Sequence, residues 1–134
     1  MQTLEFDKTY LYDTLLVGVT NPVVLSFADL TKEFKAKVDT GSSYCIFERK
    51  HGELLGIDIE SGEHVRVSAA MASFDVYGHD LTLRVLDIET HSRVYFAKDE
   101  SFTRNVLGRQ GWLDRVKLGL IDYEGKLLMN AYGG

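Results

Sequence analysis

Most of the apolar pattern in this chain recurs at every second position rather than at helical spacing, which is the signature of half-buried strands. Phe34, Ala36 and Val38 alternate with Lys35 and Lys37, and Val65 and Val67 flank Arg66. From Phe74 the alternation runs through Val76 to Gly78, then changes parity to Leu81, Leu83 and Val85. Such a change implies a bulge or bend at Gly78-His79-Asp80. A further strand is expected at Val94-Tyr95-Phe96-Ala97, and Leu118 to Tyr123 with Lys126 to Met129 reads as a hairpin turning at Glu124-Gly125. Helical signal is confined to Phe47 to Leu55, closed by Gly56, and to Arg109 to Leu118, where Trp112, Leu113 and Val116 share a face and Gly119 is the stop. A length of 134 residues gives room for one core, and no linker or repeat interrupts it. The expectation is one mainly β domain over residues 1–134, with the tail 131–134 frayed.

Charge and cysteine content exclude several classes of function. Fifteen Lys and Arg against 20 Asp and Glu give a net charge of -5, opposite to the concentrated positive field that a nucleic-acid surface needs. No apolar run approaches the roughly 20 residues of a membrane span, and the N-terminal residues lack a secretory pattern, so a cytoplasmic protein without a membrane is expected. The single cysteine, Cys45, excludes an intrachain disulfide and any multi-cysteine zinc site, and its neighbours Ile46 and Phe47 mark it as a buried hydrophobe. His51, His64, His79 and His91 are scattered without ligand spacing, so no metal is expected. There is no phosphate-binding glycine loop and no Gly-x-Ser-x-Gly, and no cofactor is expected.

The chemistry-bearing stretch is Phe34-Lys35-Ala36-Lys37-Val38-Asp39-Thr40-Gly41-Ser42-Ser43. A strand delivers Asp39 at its end, and Thr40-Gly41-Ser42-Ser43 forms a tight turn whose glycine permits backbone angles and close approach that a Cβ forbids. By itself the tripeptide reads first as a turn in which Asp39 caps its own backbone.

Its context carries more. Val38-Asp39-Thr40-Gly41-Ser42-Ser43 resembles the active-site loop of the aspartic proteases, and Asn105-Val106-Leu107-Gly108-Arg109 resembles the apolar-apolar-Gly-Arg segment that packs behind that loop in retropepsin-like members. Between them, His64 to Ser68 and Phe74 to Tyr77 flank a small tip, Ala69-Ala70-Met71-Ala72-Ser73, where that family has its flap. The resemblance covers Pro22 to Gly119, and Gly-Trp-Leu-Asp after the arginine is closer in character to bacterial members than to retroviral ones. It implies a single-lobe, retropepsin-like closed β-barrel with one short C-terminal helix, in which residues 1–21 are an additional N-terminal strand region. It also implies a peptide-hydrolysing homodimer. Cleavage without a metal or covalent intermediate needs two carboxylates sharing one proton, and this chain carries one such aspartate. Asp39 and its symmetry mate are then the general base and acid on a two-fold axis. By the same resemblance Thr40 bonds across that axis, Gly41 offers its carbonyl to a substrate strand, Ser42 donates to the Asp39 carboxylate, and Ala69 to Ser73 close over a polypeptide substrate. Leu107, Gly108 and Arg109 support the loop. Ser43 stands where retroviral enzymes carry the acidic partner of that arginine, so Arg109 needs another partner. The alternative is a catalytically weak or inactive lobe of the same fold, serving as a dimerisation or peptide-binding module.

Overall fold

The alternating segments pair edge to edge as ten strands in a computed structural model that describes residues 1–133. Strands β2 (Thr20–Phe27) and β3 (Leu30–Val38) form one hairpin, and β6 (Ser73–Val85) and β7 (Ile88–Ala97) form the longest. Two short strands, β4 (Ile46–Phe47) and β8 (Val106–Leu107), join these hairpins in the order β2-β3-β8-β4-β7-β6. The ring closes because β6 returns to β2 through Val24↔Arg84, Leu25↔Leu83 and Ser26↔Thr82. Closure satisfies both edges of each barrel strand, and the expected closed, mainly β barrel is the observed architecture. Strand β5 (Glu63–Ser68) stays outside the ring, paired only with the first part of β6. A separate antiparallel sheet, β1-β10-β9, is built from β1 (Lys8–Leu11), β9 (Val116–Ile121) and β10 (Lys126–Ala131). Among the described residues no helix is long and apolar enough to cross a membrane.

One core joins the barrel and the small sheet. Val23, Leu25, Ala36, Phe47, Leu83, Phe96 and Leu107 are at most 1% exposed, and Leu127, Met129, Trp112 and Val116 pack into the same cluster. A smaller cluster of Ile46, Val76, Tyr95 and Val106 forms on the opposite face of the β4, β7 and β8 strands. That second cluster explains the parity change along β6, and it replaces the bulge expected at Gly78-His79-Asp80. The register with β7 is unbroken from Val76↔Ala97 to Val85↔Ile88. Leu81, Leu83 and Val85 point to the main core throughout, with Tyr77 packed against it, while Val76 on the other face is buried in the smaller cluster. A strand covered on both faces loses a clean alternation without any break in pairing.

The two helical segments fare differently. Helix α1 (Arg49–Leu54) lies within the expected Phe47 to Leu55, and Gly56 follows it at φ +77°, the left-handed geometry that ends helices. The C-terminal helix expected over Arg109 to Leu118 is reduced to a 3-10 turn, Leu113–Arg115. Gly111 enters it at φ +100°, and Val116 already pairs with Ala131 as the start of β9. Trp112 and Val116 are buried as the apolar pattern requires, but a helix of this length has no stability of its own against a six-residue strand pairing. The β9–β10 hairpin turns through Asp122–Glu124 and Gly125, close to the expected place. Of the tail 131–134, Ala131 belongs to β10 and the Tyr132 amide donates to the Arg115 carbonyl at 3.1 Å, while Gly134 lies outside the described residues.

The fold also holds a histidine at a cost in acid. His51 of α1 lies against Phe34, ring centroids 4.2 Å apart, with Nε2 3.3 Å from Glu48 and Nδ1 buried without a hydrogen-bond partner among the described residues. Burial lowers its pKa from 6.5, more than the nearby Glu48 raises it, with Lys50 adding to the lowering. The unfolded chain therefore takes up a proton that the folded chain resists, and stability falls as pH drops below about 6.5. The expected result is that His51→Phe shrinks the loss of melting temperature between pH 7 and pH 5.5. An unchanged loss would place the acid sensitivity elsewhere.

Candidate active site

Asp39 leaves the end of β3 from a position clamped on both sides. The Val38 amide donates to the Val19 carbonyl at 2.9 Å, and the Asp39 amide donates to the Leu107 carbonyl at 3.0 Å, extending the parallel pairing Val38↔Leu107. Beyond it the chain folds back on the carboxylate. The Gly41 amide donates to Asp39 Oδ1 at 2.9 Å and the Ser42 amide to the Asp39 carbonyl at 3.2 Å. The turn in which Asp39 caps its own backbone is thus present, and it aims the carboxylate rather than consuming it. Gly41 serves here by close approach, not by an unusual backbone angle, since a Cβ would stand 3.3 Å from Asp39 Oδ1. Thr40 is exposed at the apex. Ser42 does not take its expected role, because its hydroxyl donates to the Tyr44 carbonyl at 2.7 Å and so braces the loop.

The Leu-Gly-Arg segment packs behind this loop, through backbone more than side chains. Leu107 is fully buried, and the Arg109 and Gln110 amides donate to the Ser42 and Ser43 carbonyls, each at 2.9 Å. The Arg109 side chain is exposed and, among the described residues, makes no ion pair, so the expected second partner for its guanidinium is not found and the segment holds the loop through its backbone. Cys45 sits beneath, fully buried, accepting from the Gly108 amide at 3.4 Å. Burial pushes its thiol up to about 12, so it stays protonated and inert.

The half-buried Asp39 faces a cavity of about 360 Å³. Gly41, Ser42, Ser43 and Tyr44 form one wall, and Ile46 and Val106 supply apolar floor. The roof is the β5–β6 hairpin, from which Val67, Ser68, Ala69 and Phe74 line the space. Its tip is tighter than the five residues expected. Ser73 already pairs with Ser68, and the turn is 69–72, held by the Ala69 amide on the Ala72 carbonyl at 2.7 Å. Ala70, Met71 and Ala72 are exposed, Met71 almost completely.

Sequence reasoning missed the rest of the lining. Tyr44, whose ring packs tilted against Tyr95 with centroids 4.7 Å apart, lies just after the recognised turn, and Phe102 and Arg104 lie just before the recognised Val106-Leu107. Arg66 was read only as the wet position of its strand; its guanidinium meets the cross-strand Asp75, which His64 also contacts at 2.8 Å. These bonds hold the Asp75 carboxyl below its usual range, His64 contributing most. Among the described residues no group of three or more His, Cys, Asp or Glu is placed to hold a metal ion.

No protein-family model matches the chain, and no curated protein matches it in sequence. Solved structures do. A retropepsin-like aspartic protease from Rickettsia conorii superposes with a TM-score of 0.59 at 19% identity, covering 83% of this chain and 89% of that one. EIAV protease, complexed with an inhibitor, gives a TM-score of 0.53 at 15% identity, covering 67% of this chain and 80% of that one. The chain has the retropepsin-like, single-lobe fold.

Proposed function

We propose that the chain is an aspartic endopeptidase that hydrolyses an extended polypeptide between two Asp39 carboxylates contributed by two copies. The observation that carries this reading is the half-buried Asp39, aimed by Gly41 into a cavity roofed by the β5–β6 hairpin. Among the described residues Asp39 is the one carboxylate lining that cavity. A lone carboxylate cannot both take a proton from water and give one to the carbonyl. Two carboxylates at van der Waals distance repel as like charges, so the pair keeps one shared proton. The ionised member takes a proton from water as its oxygen attacks the peptide carbon, while the protonated member gives its proton to the carbonyl oxygen. Collapse of the resulting diol returns a proton to the leaving nitrogen and restores the pair. In this reading Thr40, exposed at the loop apex, bonds across the two-fold axis, and the Gly41 carbonyl and the 69–72 turn with Ser73 hold the substrate strand by main-chain bonds. Leu107, Gly108 and Arg109 keep the loop in place. No cofactor enters the reaction.

A site completed by a second copy has a kinetic signature. Cleavage of an unstructured peptide mixture is expected between about pH 4 and 7.5, unaffected by chelators, since such pairs titrate on the acid side. Specific activity is expected to fall steeply on dilution and to be poisoned by excess Asp39→Asn chain through mixed dimers. Activity strictly proportional to concentration, with no poisoning, would reject the shared site. The tight, glycine-free tip favours the second reading, a peptide-binding module, if a solution dimer forms but cleaves nothing.

A further inference from the structure

Two guanidinium groups line the cavity above Asp39, and they differ in what they already hold. Arg66 is matched: its Nη1 lies 3.0 and 3.1 Å from the two oxygens of Asp75. Arg104 is exposed, and among the described residues it has no carboxylate within ion-pair distance and no acceptor for its N–H groups. What holds it is aromatic. Its guanidinium carbon stands 5.3 Å from the Phe102 ring centroid, and Phe102 packs on Phe74 at 5.1 Å. Stacking on a ring face orients a guanidinium while leaving its donor fork free at the edge. In a chain of net charge -5, an uncommitted cation fixed on the wall of the cleft is set against the prevailing field.

We propose that Arg104 is a specificity-determining residue, selecting a peptide in which an Asp or Glu side chain meets its guanidinium while a neighbouring apolar side chain rests on Phe74 and Phe102. This rests on the reading of the cavity as a peptide cleft. Asp39 limits where the acidic residue lies, because a second carboxylate next to the scissile bond is repelled. Arg104 precedes by three positions Leu107, whose carbonyl receives the Asp39 amide, and the place of the acidic residue along the peptide is read from the scan that follows. The free fork matches a carboxylate in two parallel bonds, which a glutamine in the same place cannot accept.

The test uses blocked decapeptides of Ala and Ser around a central Leu-Phe pair, with one Glu walked along the sequence and each peptide matched by its Gln counterpart. Binding is measured by fluorescence anisotropy on Asp39→Asn protein, and cleavage of the same peptides on native protein. Glu is expected to be favoured over Gln by about fivefold at one or two positions at low salt, less as salt rises. The ratio should collapse to about one in Arg104→Gln and fall below one, favouring Gln, in Arg104→Glu. Equal treatment of Glu and Gln at every position, or a Glu preference that survives Arg104→Gln, overturns the proposal. Cleavage without a Glu preference overturns it while leaving the peptidase reading intact. A Glu preference in binding with no cleavage supports it and rejects the peptidase. Absence of both binding and cleavage rejects both.

Discussion

Asp39→Asn is expected to lower peptide cleavage by about 10³-fold or more with almost no loss of stability, a separation few other substitutions here allow. An amide neither accepts the proton of the attacking water nor shares one with its mate, and a homodimer loses both groups in one substitution. The fold has little reason to notice. Asparagine matches aspartate in shape, and its Oδ1 still accepts the Gly41 amide that Asp39 Oδ1 accepts at 2.9 Å. The check is mass-spectrometric detection of cleavage in a diverse peptide mixture, with thermal melting of both proteins alongside. Native cleavage with a silent, equally stable variant assigns the chemistry to Asp39. Equal cleavage by both would sink the assignment, and equal silence from a proven dimer would favour the binding module.

Gly108→Ala is expected to do the reverse, removing stability first and activity as a consequence. A Cβ at Gly108 would stand 2.1 Å from the Tyr44 carbonyl oxygen and 2.7 Å from that of Ser42, and both are backbone atoms. Neither yields by a rotamer change. Relief requires the Leu107–Arg109 segment to part from the Asp39 loop, breaking the bonds from Arg109 and Gln110 to Ser42 and Ser43. Overpacking against backbone atoms together with lost hydrogen bonds suggests about 3 to 5 kcal/mol, a large part of the stability of a domain this size. Urea denaturation of both proteins measures it. A change below about 1 kcal/mol would mean that the loop is not pressed against this glycine as described.

Much of the barrel was legible in advance. Phe34, Ala36 and Val38 alternate because β3 has one wet face, and Gly56 ends α1 by the backbone geometry that glycine favours. The turn that carries Asp39 was legible for the same local reason, since Asp-Thr-Gly folds on itself through bonds spanning two or three residues. The errors have one source. At Trp112, Leu113 and Val116 an apolar spacing fits a helix face equally well as a turn running into a strand, and the distant β10 decided between them. Along β6 a change of parity stood for burial on both faces, which depends on Tyr95 and Ile46 from other strands.

The sequence by itself determined the strands and the turn that displays Asp39, because these rest on periodicity or on bonds between near neighbours, whereas the packing of Leu-Gly-Arg behind that turn was legible only through the resemblance. Tertiary structure alone decided that Arg109 supports the loop by its backbone, and that Arg104 stands free beside the cleft while Arg66 does not. The physical reason is range. Backbone conformation is set largely by local sterics, whereas which donor finds which acceptor depends on groups brought together from far apart in the chain when the barrel closes.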